Sequence, residues 1–186
     1  MKTILWTLVL SLSMALGISA QKSVSKSDGL FAPPPRIGNL VEVAIAVNNE
    51  GPYAGQFDTL IATVLAADPS IAEILTKKGK LTVFAPTDDA FALLGITPAT
   101  VGDLDVEFLT QVLAYHVVRG ERLAVDVLAT SRFRSLQGNF FFQSGGVLTD
   151  AVGRTSNIIV TDVMADNGVI HAIDAVILPF APAAIK

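Results

Sequence analysis

Residues 167–179 read NGVIHAIDAVILP, and this stretch decides the fold class of the chain. From Val169 to Leu178 it is apolar on both faces of a strand except at His171 and Asp174, which predicts a largely buried strand. A second strand-like stretch, Ile158 to Met164, precedes it, and residues 165–168 (ADNG) lie between the two. Because Asn-Gly tolerates the positive φ angles of a tight turn, the sequence predicts a β-hairpin.

Upstream of the hairpin, a further strand is predicted at the aromatic run from Phe140 to Phe142, which glycines flank on both sides. On a strand, Phe140 and Phe142 share one face and Phe141 takes the other. We expect at least one of these faces to lie in the core, and the sequence leaves the other face open.

The first half of the folded sequence is predicted to be helical. Asp68 and Pro69 suit the N-cap and the first turn of one helix. Asp58 is predicted to cap the preceding helix, whose buried face would carry Leu60, Ile61, Val64 and Leu65.

A short strand and two further helices are predicted between residues 80 and 116. Lys80 to Ala85 is rich in β-formers, and Thr87 after it can cap a short helix that Gly95 ends. Asp103 or Asp105 opens another helix, whose apolar stripe is Leu109, Val112, Leu113 and His116. Because helices come early and strands late, the sequence predicts a mixed α+β domain.

Composition and the N-terminus predict an exported globular protein. The chain of 186 residues is 51% hydrophobic and 16% charged, has no cysteine and carries a net charge of −4, which disfavours nucleic acid as a partner. Lys2, the apolar run Ile4 to Leu16 and the small residue Ala20 are typical of a secretory signal peptide. The apolar run is too short to span a bilayer as a helix, so no integral membrane anchor is expected.

The predicted organisation is a signal peptide at 1–20, a flexible Pro-rich arm at 21–38, a folded domain at 39–180 and a tail at 181–186. The arm lacks apolar periodicity and contains three consecutive prolines, Pro33 to Pro35. Cleavage after Ala20 would place the protein in the periplasm or the extracellular medium.

Three segments occur in an order that resembles the fasciclin (FAS1) family: LTVFAPTDDAF at 81–91, YHVV at 115–118 and NGVIHAIDAVILP at 167–179. The resemblance covers about residues 39–179 and implies a β-sandwich wedge with packed helices. It also implies an extracellular or cell-surface module for adhesion or matrix interaction. With a single domain, no Arg-Gly-Asp and no anchor, the chain looks like small secreted bacterial members with proposed adhesion or biofilm roles.

The resemblance also implies a partner-binding region at Tyr115, His116 and Val117, since the Tyr-His region of animal members has been tied to integrin binding. His116 lies on the apolar stripe of its helix, whereas Tyr115 is turned about 100° from it on an ideal helix. We therefore expect His116 to support the fold and Tyr115 to be accessible for contact. The implied partner is a cell-surface or extracellular-matrix protein, or a polysaccharide.

The sequence predicts no enzyme, no metal site and no cofactor. His171 and Asp174 would point to opposite faces of a strand, and no Gly-x-Ser-x-Gly nucleophile motif occurs. Arg132, Arg134 and Arg154 are interpreted as scattered solvated surface residues rather than as a basic patch. Two alternative functions stay open: a small-molecule carrier with a pocket between sheet and helices, and a hydrolase of unknown substrate.

Overall fold

The structure, a computed structural model, describes residues 38–180. The predicted signal peptide at 1–20, nearly all of the predicted arm at 21–38 and the predicted tail at 181–186 lie outside the described residues.

Within the described part of the chain, seven strands form one continuous sheet in the order β2-β1-β7-β6-β5-β4-β3. Neighbouring strands are antiparallel except for β1 and β7, which are parallel. The strands are β1 (Leu81–Pro86), β2 (Val117–Arg119), β3 (Arg132–Arg134), β4 (Phe140–Ser144), β5 (Val147–Thr149), β6 (Thr155–Ala165) and β7 (Gly168–Ile173).

The sheet folds back on itself through the long strand β6, so that its two edges meet. The first part of β6 pairs with β5, and most of its length pairs with β7 across two irregularities in register. At the opposite side the edge strands β2 and β3 touch through a Val118–Ser135 bridge and a 2.8 Å hydrogen bond from the Leu136 N–H to the Val117 carbonyl. We call this junction of β2 and β3 the seam. The predicted α+β sandwich with packed helices is confirmed.

Six α-helices and one 3-10 turn accompany the strands in residues 38–180. They are α1 (Leu40–Asn49), α2 (Asp58–Ala66), α3 (Pro69–Thr76), α4 (Asp88–Ala92), α5 (Val106–Tyr115) and α6 (Ala124–Ala129), with the 3-10 turn at Val101–Asp103. Among the described helices, none alone has the length and apolar character needed to cross a membrane. Among these helices, only α2 and α3 taken as a pair have that length and apolar character, and the two helices are bent by 116° relative to each other.

Helix starts follow the predicted caps with one exception. The side chains of Asp68, Thr87 and Asp105 each accept a hydrogen bond from a backbone N–H in the first turn that follows. Asp58 does not cap α2, because it is already helical and its carboxylate accepts a 2.8 Å hydrogen bond from the Asn48 side chain. The predicted buried face of α2 is also wrong at Leu65, which is 80% exposed.

The turn between β6 and β7 uses Asn-Gly for a different reason from the predicted one. Gly168 does not have positive φ; instead, a Cβ there would collide with the Leu81 carbonyl on β1. The buried Asn167 amide donates to the carbonyls of Leu75 (2.7 Å) and Lys77 (2.9 Å) and accepts from the Leu40 N–H (2.9 Å). The turn is therefore a junction that ties the start of α1 and the end of α3 to the sheet.

Two hydrophobic clusters make up the core of the described residues. The larger one lies between the helices and the sheet, and it is mostly aliphatic. The smaller one lies inside the folded sheet and is rich in aromatic rings. Its buried members are Phe84, Tyr115, Val118, Val127, Phe133, Phe141, Leu148, Ile173 and Ile177.

Candidate functional site

The predicted partner-binding residues lie at the junction of α5 and β2, and all three are buried. Tyr115 is 0% exposed, and His116 and Val117 are each 3% exposed. The helix ends at Tyr115, and the chain turns at His116 directly into β2. These side chains therefore offer almost no surface to a macromolecular partner.

Tyr115 is a core residue, so the predicted accessibility of its ring is wrong. Its ring packs edge-on against Phe141, with 5.6 Å between the ring centres. Its hydroxyl donates a 2.8 Å hydrogen bond to the Phe140 carbonyl and accepts a 3.1 Å bond from the Ala151 N–H. Burial raises the pKa of the Tyr115 hydroxyl to about 12. The prediction considered only the helix face of α5, whereas the folded sheet covers the other side as well.

His116 is a structural histidine, as predicted from its place on the apolar stripe. Its Nδ1 donates a 2.7 Å hydrogen bond to the Val112 carbonyl, and its Nε2 accepts a 3.1 Å bond from the Ile177 N–H. These two partners fix the neutral tautomer, since the Ile177 amide can only donate. Burial lowers the pKa of the His116 ring to about 4.

His171 and Asp174 serve the fold separately. The His171 ring donates from Nε2 to the Arg122 carbonyl (2.9 Å) and accepts at Nδ1 from the Asp162 N–H (3.3 Å), and its burial lowers its pKa. The Asp174 carboxylate accepts from the backbone and side-chain nitrogens of Asn157, each at 2.7 Å. Among residues 38–180, no three His, Cys or acidic side chains form a group that could hold a metal ion.

The outer face of β3 and β4 presents an exposed aromatic pair. Phe140 is 41% exposed and Phe142 is 51% exposed, whereas Phe141 between them is fully buried. We call Phe140 and Phe142 the aromatic patch. Their partners across the ladder are Arg134 and Arg132, and the Arg132 guanidinium lies 4.6 Å from the centre of the Phe140 ring.

Beside the aromatic patch, a groove of about 450 Å³ runs along the seam. We call it the arginine groove, because Arg119, Arg122, Arg132 and Arg134 line it. The interpretation of Arg132 and Arg134 as scattered surface residues is therefore wrong. Their spacing in sequence carries the missed signal, since residues two apart on a strand share a face. Arg154 lies elsewhere and donates a 3.2 Å hydrogen bond to the Val176 carbonyl.

A second concave feature is an apolar cavity of about 110 Å³ between the helices and the sheet. Its lining comes from the helices α1, α2, α3 and α5 and the strands β1, β2 and β7, and it includes Phe84, His116 and Val117. The ring nitrogens of His116 are both engaged with backbone groups, so this cavity offers a ligand almost only hydrocarbon contact.

Comparison with known proteins identifies a family, one relative matched over nearly its whole length and one matched over a small part of it. The model of the fasciclin domain family matches residues 55–179. An uncharacterized protein of Synechocystis sp. is 37% identical over 146 residues, which make up 75% of this chain and 97% of that protein. The transforming growth factor-beta-induced protein ig-h3 of Sus scrofa is 30% identical over 154 residues, which make up 82% of this chain but only 20% of that protein.

Among solved structures, a FAS1 domain pair from the insect cell adhesion molecule fasciclin I has a TM-score of 0.50 with this chain. The match covers 62% of this chain and 42% of that one at 18% sequence identity, so it bears on the fold alone.

Proposed function

The chain belongs to the fasciclin domain family, and on this premise we propose that it is an exported, non-catalytic binding module that attaches to cell surfaces or matrix. The observation that carries the proposal is the aromatic patch of Phe140 and Phe142 on the outer face of β4.

The composition of the patch suits a binding surface. Aromatic and arginine side chains are enriched at protein interfaces, where large rigid rings supply contact area at low entropic cost. Phe140 and Phe142 stand beside Arg132 and Arg134 on a regular ladder, so their positions are fixed before any partner arrives. A preorganised surface loses less entropy on binding than a loop does.

In this proposal Tyr115, His116 and Val117 form the support of the binding region. The Tyr115 hydroxyl holds the carbonyl of Phe140, and its ring packs on Phe141, so the buried tyrosine fixes the strand that carries the aromatic patch. Changes at Tyr115 would then affect binding through the position of Phe140.

The proposal includes export through a signal peptide at 1–20, with the arm at 21–38 ahead of a domain at 39–180. The support is the pattern of Lys2, the apolar run and Ala20. N-terminal sequencing of the mature protein tests it. A start near Gln21 agrees with export, and an intact Met1 in the membrane fraction contradicts it.

The test of binding compares two pairs of exposed apolar side chains. Mature wild-type protein, Phe140→Ser/Phe142→Ser and the control Leu65→Ser/Leu93→Ser are added to intact cells of the producing strain, and bound protein is quantified. Leu65 and Leu93 are 80% and 73% exposed on the helical side, so the control removes similar apolar surface elsewhere.

We expect the Phe140→Ser/Phe142→Ser variant alone to lose binding, at about tenfold or more for the removal of two aromatic contacts. Thermal unfolding of all three proteins checks that the fold survives. Equal binding by the wild type and the Phe variant would exclude the aromatic patch as the contact surface.

A carrier function is the second candidate, because the apolar cavity has room for a small ligand. An engineered apolar cavity of about 150 Å³ binds benzene or xenon, so the cavity of about 110 Å³ suits a ligand of only a few carbon atoms. Thermal unfolding under xenon, a small apolar probe that enters dry cavities, tests this candidate. An unchanged midpoint for the wild type would remove the support that the cavity gives to a carrier.

A further inference from the structure

We infer that the arginine groove and the aromatic patch together bind an acidic polysaccharide, with guanidinium groups on its carboxylates or sulfates and the phenyl rings against its sugar faces. The inference rests on the proposed binding function and names the class of partner. The residues that carry it are Arg119, Arg122, Arg132 and Arg134 with Phe140 and Phe142.

The groove exists because the two edge strands meet only at one end. The Val118–Ser135 bridge joins them, and no ladder pair between β2 and β3 extends it in the described residues. The Gln143 N–H donates to the Ser131 carbonyl (2.9 Å) and the Ser135 N–H donates to the Asn139 carbonyl (3.0 Å). By the alternation of an antiparallel ladder, the backbone groups of Arg132 and Arg134 point away from β4 and towards the groove.

The arginines of the groove have no carboxylate partner within the described residues. The salt bridges in residues 38–180 are Lys77–Glu73 and Lys80–Glu121, and neither involves a groove arginine. The Nε of Arg122 is buried without a hydrogen-bond partner, and its guanidinium lies 5.8 Å from the centre of the Phe133 ring. Guanidinium groups that are left unneutralised in a groove favour a ligand with several anionic groups.

The charge of the groove contrasts with that of the chain. The protein carries a net charge of −4, with 13 lysines and arginines against 17 acidic residues. Yet the lining of the groove contains four arginines and no acidic side chain. The net negative charge of the chain disfavours contact with an anionic partner elsewhere, whereas the arginines of this groove attract it.

The aromatic patch favours a polysaccharide over other polyanions. Phe140 and Phe142 form a row along β4, about 7 Å apart by strand geometry, and Arg134 and Arg132 form a parallel row on β3. A linear ligand that lies along the strands thus meets exposed rings on one side and cations on the other. Sugar acids offer both surfaces, because the C–H face of a pyranose is apolar and its carboxylate or sulfate is charged.

The decisive experiment measures binding of full-length mature protein to four immobilised polymers at low salt: polygalacturonate, dextran sulfate, neutral dextran and poly-glutamate. The variants are Arg132→Gln/Arg134→Gln, Phe140→Ser/Phe142→Ser and the charge-matched control Lys77→Gln/Lys78→Gln. Both lysines of the control are exposed at the end of α3, away from the groove.

We expect binding to polygalacturonate or dextran sulfate that weakens about tenfold in each of the first two variants and less than about twofold in the lysine control. Comparison of the two acidic polymers shows whether carboxylate or sulfate is preferred. Binding should also weaken as salt rises, because solvent-accessible charge pairs are screened.

Two results overturn the inference. Binding to poly-glutamate as strong as to the acidic polysaccharides, and unaffected by the Phe140→Ser/Phe142→Ser change, identifies an acidic protein as the partner. Failure to bind any acidic polysaccharide, while the same preparation still binds cells through the aromatic patch, removes the polysaccharide and leaves the proposed binding function standing.

Discussion

The two faces of strand β4 place three consecutive phenylalanines in opposite environments. Inside the folded sheet, Phe141 is fully buried, with ring centres of Phe84, Phe133 and Tyr115 between 5.3 and 5.6 Å away. On the outside, Phe140 and Phe142 are 41% and 51% exposed and have arginines as cross-strand partners. The same residue type is thus packed in the interior and exposed on the surface within one strand.

The contrast separates stability from binding. Burial of an aromatic ring is among the largest contributions that one residue makes to a core, whereas a half-exposed ring keeps much of its area available to a partner. The interior also contains Tyr115 and His116, to which the family resemblance assigned contact. Under the proposed function, changes at these residues act first on the fold, and changes on the outer face act on binding.

Replacement of the buried ring should give the largest effect. Phe141→Ala removes a ring that packs against three others, and we expect the free energy of unfolding to fall by roughly 3 to 5 kcal/mol. The neighbouring change Phe142→Ala should cost less than about 1 kcal/mol, because its ring already meets solvent. Urea unfolding of both variants measures the difference. Equal costs would mean that the two faces of β4 are not distinct.

Acid should weaken the interior next. The pKa of His116 is about 4 in the folded protein and 6.5 when unperturbed, and burial also lowers the pKa of His171. The unfolded chain therefore binds protons first, and stability that is complete above pH 6.5 is lost as the pH falls towards 4. At about 1.4 kcal/mol per pKa unit, the lowered pKa of His116 alone contributes about 3 kcal/mol to the free energy of unfolding at neutral pH.

The measurement is the free energy of unfolding by urea at pH values from 7 to 4. The chain has only two histidines, so single His116→Gln and His171→Gln variants divide the proton uptake between them. In each variant the free energy of unfolding should depend less on pH than in the wild type. The dependence should be weakest in His116→Gln. A wild-type profile that is level over this range would contradict the neutral, buried state of both rings.

Much of the fold could be predicted because its signals are local. Asp68, Thr87 and Asp105 cap helices through hydrogen bonds only two or three residues away, so sequence spacing is enough to find them. The role of Asn167 could not be found in this way, since its partners at Leu40 and Leu75 are distant in sequence. The reason for Gly168 is likewise a neighbouring strand rather than its own turn.

The candidate site was less predictable, because it too depends on contacts between residues that are distant in sequence. Burial of Tyr115 depends on Phe140 and Ala151, which reach it only after the sheet has folded back. The arginine groove depends on the meeting of β2 and β3, although Arg119 and Arg134 are far apart in the chain. Alternation along β4 correctly predicted that one face would be buried, but it could not show which residues would surround the other.

A smaller effect is expected where the interior holds the outer face in place. Tyr115→Phe keeps the ring but removes the hydroxyl that joins the Phe140 carbonyl to the Ala151 N–H. Loss of these two partly buried hydrogen bonds should lower the free energy of unfolding by about 1 to 3 kcal/mol. Urea unfolding gives the cost, and amide hydrogen exchange at Ala151 should accelerate. Unchanged exchange at Ala151 would show that the hydroxyl does not hold this junction.

The smallest effect should come from the outer face itself, where Arg132 lies over the ring of Phe140 at 4.6 Å from its centre. A cation–π pair at an exposed site contributes about 0.5 to 1 kcal/mol. A double-mutant cycle of Arg132→Gln, Phe140→Ser and the combined variant isolates this coupling in urea unfolding, because the guanidinium contacts the ring diagonally across the ladder. We expect a coupling near the lower bound of this range, since both side chains are exposed.

With so weak a coupling, the ring and the guanidinium could give up their mutual contact and each contact a ligand instead, at little cost in stability. A coupling above about 2 kcal/mol, as found for desolvated cation–π pairs, would instead make Arg132 and Phe140 part of the structural framework and break the separation between the two faces of β4.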